Sequence, residues 1–165
     1  MIRTVKFEDA QEIAEIYNYY ILNSCVTFEE IPISIEEMSE RIQAAHSKFP
    51  WLVYEKDKEI IGYAYASVWK PRSAYKYTIE STIYLKKEAT KNGIGSLLYK
   101  ELISRLTNLG FHAVIGGISL PNEASIALHE KFGFKKVAQF KEVGYKFNKW
   151  IDVGYWELLI NKCNI

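Results

Sequence analysis

Thr78-Ile79-Glu80-Ser81-Thr82-Ile83-Tyr84-Leu85, a lysine-bearing turn, and then Asn92-Gly93-Ile94-Gly95-Ser96-Leu97-Leu98 form the stretch that decides the fold. The first run has the β-branched and aromatic content of a strand. The second opens a long amphipathic helix behind a glycine hinge. A strand feeding such a helix start aims unpaired backbone N–H groups and the positive end of the helix dipole at one point. That point is an anion seat suited to a phosphate. Glycine at Gly93 and Gly95 permits close backbone approach, and Lys86, Lys87 and Lys91 add positive charge beside it.

Spacing excludes the commonest nucleotide motifs. The P-loop pattern Gly-x-x-x-x-Gly-Lys-Ser/Thr is absent. A dinucleotide fingerprint needs a further glycine where Leu98 stands, and belongs after the first strand. What remains is a pyrophosphate seat in mid-chain.

Outward from this stretch, Ile2 to Phe7 alternates as a first strand. Asp9 with Glu12 marks a helix start, and Ile13, Ile16, Tyr17, Tyr20 and Ile21 recur at helical spacing. Ser34 with Glu37 is a second capping box, opening a helix that Pro50 closes. Trp51 to Glu55 and Ile60 to Ala66 flank the turn Lys56-Asp57-Lys58 as a hairpin. The helix from Ile94 carries Leu97, Leu98, Leu102, Leu106 and Leu109 on one stripe and ends at Gly110. A strand at Ala113-Val114-Ile115, a short helix from Asn122 to Phe132, and strands near Phe134 to Phe140 and Ile151 to Ile160 follow. Together they predict an α/β protein with a mixed sheet, in one domain over residues 1–165.

The composition, 48% hydrophobic and 25% charged, is that of a globular protein. A net charge of +1 gives no electrostatic case for nucleic acid or an anionic membrane. No stretch is long and apolar enough to span a bilayer, and the N-terminus lacks a signal-peptide pattern, so a cytoplasmic location is expected. Cys25 and Cys163 lack metal-ligand spacing, so no metal is expected and both read as reduced thiols. Twelve Tyr and four Trp suggest sticky faces around a cleft or a subunit contact.

Against this background the chain resembles the GCN5-related N-acetyltransferases, and more closely their phosphinothricin and methionine sulfoximine acetyltransferase branch. Gly93-Ile94-Gly95, Asn122 with Ser125, and Lys131-Phe132-Gly133-Phe134 fill the general pattern. Closer to the branch are Thr27-Phe28-Glu29, Pro50-Trp51-Leu52-Val53, Trp69-Lys70-Pro71-Arg72-Ser73-Ala74-Tyr75, Glu80-Ser81-Thr82, Leu128-His129-Glu130, Gly144-Tyr145-Lys146-Phe147 and Trp150-Ile151-Asp152-Val153. One departure is Thr90, where the pattern has Gln or Arg; its hydroxyl can still bond a phosphate.

The resemblance implies a mostly antiparallel sheet whose fourth and fifth strands splay apart, about four helices, and acetyl-CoA as the donor. The pantetheine arm would lie between those strands against Ile83, Tyr84 and Leu85, with backbone N–H groups near Leu85 facing the thioester carbonyl. The phosphates would sit among Lys86, Lys87, Lys91, Asn92, Gly93, Ile94, Gly95, Ser96, Leu97 and Leu98. Asn122 and Ser125 would meet the pantetheine, although helix capping alone also explains an Asn there. Acetyl transfer to an amine needs a proton acceptor for the ammonium and a proton for the leaving thiolate. Glu80 matches the base, and His129 stands where an acid or second base would act. For a small amino-acid-like acceptor, Phe28, Glu29, Arg72 and Tyr75 match pocket positions, Arg72 as carboxylate partner. Lys146 would reach the acceptor from a late loop. The branch also implies a homodimer. A protein N-terminal acetyltransferase of the same fold and a non-catalytic acyl-CoA sensor are the alternative readings.

Overall fold

In the computed structural model, residues 1–161 are described except Ser47 and Lys91. They form a seven-stranded sheet in the order β1-β2-β3-β4-β5-β7-β6. The strands are β1 (Ile2–Thr4), β2 (Trp51–Lys56), β3 (Glu59–Val68), β4 (Thr78–Leu85), β5 (Ala113–Ser119), β6 (Lys135–Lys146) and β7 (Lys149–Leu159). Four helices cover it: α1 (Ala10–Asn23), α2 (Ile35–His46), α3 (Ile94–Asn108) and α4 (Glu123–Lys131). All neighbouring strands run antiparallel except β4 and β5.

Strand parity divides the core into two layers. Trp51, Val53 and Tyr63 face α1 and α2, where they pack with Ile13, Ile16, Met38 and Ile42. Leu52, Ala64, Val114 and Ile118 face the other side, against Leu98, Leu102 and Leu106 of α3. The expected leucine stripe on α3 is narrower than the sequence suggests. Leu98, Leu102 and Leu106 are fully buried, whereas Leu97 is 51% and Leu109 61% exposed. At i+4 spacing the buried set is completed by Ile94, and Leu97 lies a quarter-turn off that line.

Several local expectations are revised. The first strand stops at Thr4, and Phe7 opens a 3-10 turn. Asp9 does not cap α1 with its side chain; it accepts two bonds from Arg3 at 2.7 and 2.8 Å and the Lys6 N–H at 2.8 Å. Ser34 does accept the Glu37 N–H at 3.1 Å, as a cap should. The strand expected to end near Phe140 continues to Lys146 through an irregularity between Phe140 and Gly144. Asp152 stitches this bulge by accepting the Glu142 N–H at 2.9 Å and the Gln139 amide at 2.7 Å. Gly144 and Lys146 therefore belong to an edge strand, not to a loop.

The two leucines separate core from surface. Leu98→Ala should destabilise by ~2–5 kcal/mol, and Leu97→Ala by less than ~0.5 kcal/mol, read by urea unfolding. Equal losses would contradict this helix orientation.

Candidate active site

β4 and β5 are bonded only where Thr78, Ile79 and Glu80 lie beside Ala113, Val114 and Ile115. Beyond Glu80 the strands part. Ser81 to Leu85 keep only β3 as partner, and Gly116 to Ser119 keep only β7. The gap opens a cleft of about 820 Å³ walled by Glu80 to Leu85, Gly117 to Ser119, the start of α3 and the inner side of α4. Backbone polar groups on the two facing edges await partners, which a guest of strand-like shape can supply. Tyr20 reaches into the wall and donates its hydroxyl to the Leu85 carbonyl at 2.6 Å.

The anion seat lies at the mouth. Gly93 caps α3 at φ 78°, ψ −6°, a left-handed conformation. No heavy atom comes within 4 Å of where its Cβ would stand, so backbone rotation, not crowding, requires glycine there. A Cβ on Gly95 would meet the side chains of Leu85, Ile83 and Leu128 at 3.5, 3.7 and 3.8 Å. These are ordinary van der Waals distances, so a Cβ would fit there against β4.

The lysines expected beside the seat have other neighbours in this structure. Lys86 pairs with Glu59, and Lys87 lies over the Tyr19 ring at 5.8 Å. Lys91 lies outside the described residues. Among the described residues the cation that walls the cleft is Lys131, whose Nζ donates to Ser96 Oγ at 2.9 Å. Thr90 does wall the cleft, but its hydroxyl donates to the Lys87 carbonyl at 2.9 Å, leaving only its lone pairs for a ligand. Asn92 and Leu97 face solvent, while Ile94 and Leu98 are turned into the core, so their side chains are not part of the wall.

Glu80 and His129 both wall the cleft, but on opposite faces of the sheet. A Cβ on Gly117 would stand 3.3 Å from Glu80 Oε1, and a Cβ on Gly116 would stand 2.3 Å from His129 Nε2. Consecutive strand residues point to opposite faces, so Glu80 shares its side with Tyr155 and His129 with α3 and α4. Burial raises the Glu80 carboxyl above the ordinary glutamate range, with Lys70 pulling weakly the other way. Among the described residues no hydrogen bond reaches this carboxylate.

His129 is 4% exposed, with its ring edge-on to Tyr99 and Phe134 at 5.1 and 5.0 Å. Its Nδ1 lies 2.7 Å from the Ser125 carbonyl. A carbonyl can only accept, so Nδ1 carries the proton and neutral His129 keeps a lone pair at Nε2. Among the described residues that buried Nε2 has no hydrogen-bond partner. Burial lowers the imidazole pKa, against the raising effect of the Ser125 carbonyl. Asn122 holds this arrangement from behind, accepting the Ser125 N–H at 3.1 Å as the N-cap of α4. Nearby, Ser81 Oγ and the Tyr99 hydroxyl share a hydrogen bond of 2.6 Å.

None of the five expected acceptor residues walls the cleft. The Phe28 ring rests on Gly144. Glu29 takes two bonds from Arg41 at 2.8 and 3.1 Å and one from Tyr17 at 2.9 Å. Burial would raise its carboxyl, but these bonds outweigh it and hold the group below the ordinary range. Arg72 and Tyr75 are exposed on the β3–β4 connection. Lys70 and Trp69 bring that connection to the Glu80 side, Trp69 meeting Tyr155 edge-on at 5.3 Å. Lys146 is 1% exposed and donates to the Thr27 carbonyl at 2.9 Å. The wall beside Tyr84 comes instead from Val26 and Thr27, which carry no chemical signature in sequence. Lys131 adjoins the Phe132-Gly133 pair and was open to recognition; the Tyr20–Leu85 bond, spanning 65 positions, was not.

A splayed parallel pair, an anion seat on one strand's outgoing helix and a carboxylate at the fork describe an acyl transferase of the acetyltransferase type. Residues 2–154 match the model described as an acetyltransferase (GNAT) domain, and the chain belongs to this family of N-acetyltransferases. It is 36% identical to a phosphinothricin N-acetyltransferase of Streptomyces viridochromogenes, over 94% of this chain and 85% of that protein. It is 29% identical to an L-methionine sulfoximine/L-methionine sulfone acetyltransferase of Salmonella typhimurium, over 96% of this chain and 95% of that one. Among solved structures, a phosphinothricin acetyltransferase of Sinorhizobium meliloti in complex with acetyl-CoA superimposes with a TM-score of 0.93 at 37% identity. That match covers 96% of this chain and 87% of the other.

Imidazole nitrogen NMR should find His129 in the Nδ1–H form, titrating below the ordinary value of about 6.5. An Nε2–H tautomer would refute the assignment. Asn122→Ala should cost about 1 kcal/mol through the lost cap, measured by thermal unfolding.

Proposed function

We propose that this N-acetyltransferase takes its acetyl group from acetyl-CoA and passes it to the primary amine of a small amino-acid-like substrate, of the phosphinothricin or methionine sulfoximine type. The observation that carries the reading is the fork at Glu80, where the cleft between β4 and β5 ends on a carboxylate. The residues present suit the cofactor. N–H groups of the first turn of α3, released by Gly93, and the Lys131 ammonium would hold the pyrophosphate. The free edge of β4 would pair with the pantetheine amides. Bound there, acetyl-CoA supplies an activated acyl group as a thioester.

The chain's own residues then manage protons and position. Glu80, on the face shared with Tyr155 and the Trp69–Tyr75 connection, accepts a proton from the acceptor ammonium, directly or through water. Its raised pKa brings the carboxylate nearer to that of a useful base. Arg72 on that connection is the partner for an acceptor carboxylate, with Tyr75 beside it. His129 stands across the sheet and holds no proton at Nε2 in its neutral form. This supports proton acceptance and positioning at His129 over acid catalysis from the resting state.

We also propose a homodimer that uses the β6–β7 hairpin. Val137, Phe140, Val143, Tyr145, Phe147 and Trp150 are all more than half exposed there, and β6 is an edge strand. An apolar edge of this kind is a liability in a monomer. Sedimentation should give a dimer that Trp150→Glu converts to monomer; a monomeric parent chain would refute it.

Thiol release from acetyl-CoA, measured with phosphinothricin, methionine sulfoximine, other amino acids and short peptides, tests the acceptor class. Turnover confined to peptides would favour protein N-terminal acetylation and overturn the small-amine reading. Glu80→Gln should lower kcat by about a hundredfold or more while leaving acetyl-CoA affinity within a factor of about two. In the parent enzyme kcat/KM should fall as pH falls through a Glu80 pKa above the ordinary ~4.3, and Glu80→Gln should erase that limb. Gly93→Val, forced into a left-handed backbone, should abolish acetyl-CoA binding; normal binding would remove the seat.

A further inference from the structure

Lys146 is an ammonium buried inside an edge hairpin. It closes β6 at a two-residue turn, Phe147-Asn148, whose φ angles of 51° and 57° are both positive. The turn fixes the register Lys146 to Lys149 and Gly144 to Ile151. Alternation then sends Tyr145 outward, 51% exposed, and Gly144 and Lys146 inward. Both inward positions meet the same segment, the connection between α1 and α2.

Each contact is specific. The Lys146 ammonium donates to the Thr27 carbonyl at 2.9 Å across 119 positions. The Phe28 ring occupies the space a Gly144 side chain would fill, with ring carbons 2.3–2.9 Å from a built Cβ. On its other side, Thr27 Oγ1 shares a hydrogen bond of 2.8 Å with Tyr17 of α1, whose hydroxyl also donates to Glu29. Burial lowers the pKa of this ammonium, against the raising effects of Cys25, Glu30 and Glu29. Val26 and Thr27 wall the cleft, with Thr27 beside Tyr84.

We propose that Lys146 is a positioning residue for the acceptor amine: by holding the Thr27 carbonyl it fixes the Val26–Thr27 wall beside Tyr84, on the Glu80 face of the sheet, and makes the acceptor side of the cleft depend on the β6–β7 hairpin. The inference rests on the placement of the acceptor on the Glu80 face proposed above. It assigns Lys146 no contact with substrate or cofactor. The anion seat at Gly93 and Lys131 belongs to other elements, so the two halves of the cleft should respond separately.

Lys146→Met keeps the buried volume and removes the bond. It should raise KM for the best acceptor about tenfold or more, as expected when one wall of a reacting pair is misplaced. The acetyl-CoA Kd should stay within about twofold, because no hydrogen bond of the seat passes through Lys146. Gly144→Ala, which pushes the Phe28 ring from the opposite contact, should reproduce the same split. Lys131→Met should reverse it, weakening acetyl-CoA and sparing acceptor KM. Hydrogen exchange supplies a readout independent of any acceptor: in Lys146→Met, amides of the Val26–Glu29 segment should exchange faster, with those of β4 and α3 unchanged. Unchanged acceptor KM in both hairpin variants, or an equal loss of both ligands, would overturn the proposal. Should the parent chain acetylate none of the small amines, the acceptor reading falls. Exchange then decides on Lys146 alone, and unaltered protection of Val26–Glu29 would dispose of the clamp.

Discussion

Everything functional in this molecule depends on a sheet that stops pairing. β4 and β5 share a short parallel ladder ending at Glu80 and Ile115, and each then continues with only its outer neighbour. Unpaired backbone edges inside a protein cost free energy unless something fills them. Here that cost marks a binding site. The wedge places a carboxylate at its apex, where the ladder ends, and a helix N-terminus at its mouth, where β4 runs out through its turn. A continuous ladder along β4 would close the cleft and bury Glu80 uselessly.

The same strand geometry sets the two titratable groups apart. Gly116 and Gly117 are neighbours on β5, yet one lies under the His129 imidazole and the other beside the Glu80 carboxylate. The sheet therefore separates them. The two groups wall the cleft from opposite faces, and the protonated Nδ1 at Ser125 leaves His129 with an acceptor at its buried end. Asn122 contributes through α4: its cap fixes the Ser125 backbone, and that carbonyl fixes the ring. Asn122 thus walls the cleft and also acts through helix geometry.

Legibility in the sequence followed distance along the chain. The β4 strand, the Gly93 hinge, the α4 cap and the hairpin after Trp51 are written in runs of a few residues, and each is where the pattern put it. The destinations of long side chains were not legible. Lys86 and Lys87 were close to the seat in sequence, but Glu59 and the Tyr19 ring, both far along the chain, claim them. Lys131 supplies the nearby charge from a different helix. The sequence pattern ends β6 early because nothing local marks the bulge where Glu142 adopts φ 52° and donates its N–H to Asp152 of the next strand. That misread concealed the inward parity of Lys146.

The parity matters because a buried ammonium is a poor way to gain stability. Taking such a charge out of water costs several kcal/mol, which one carbonyl and two nearby carboxylates only partly offset. An apolar side chain of equal length would fill the same space without that cost. What a methionine cannot do is hold the Thr27 carbonyl at 2.9 Å, and no apolar contact has comparable directionality. The energy spent on Lys146 therefore goes into where one backbone segment stands. That segment is a wall of the cleft, and the hairpin holding it is the one whose outer face carries Tyr145, Phe147 and Trp150. Anything that covers the outer face bears, through alternate residues of a single strand, on the position of the inner one.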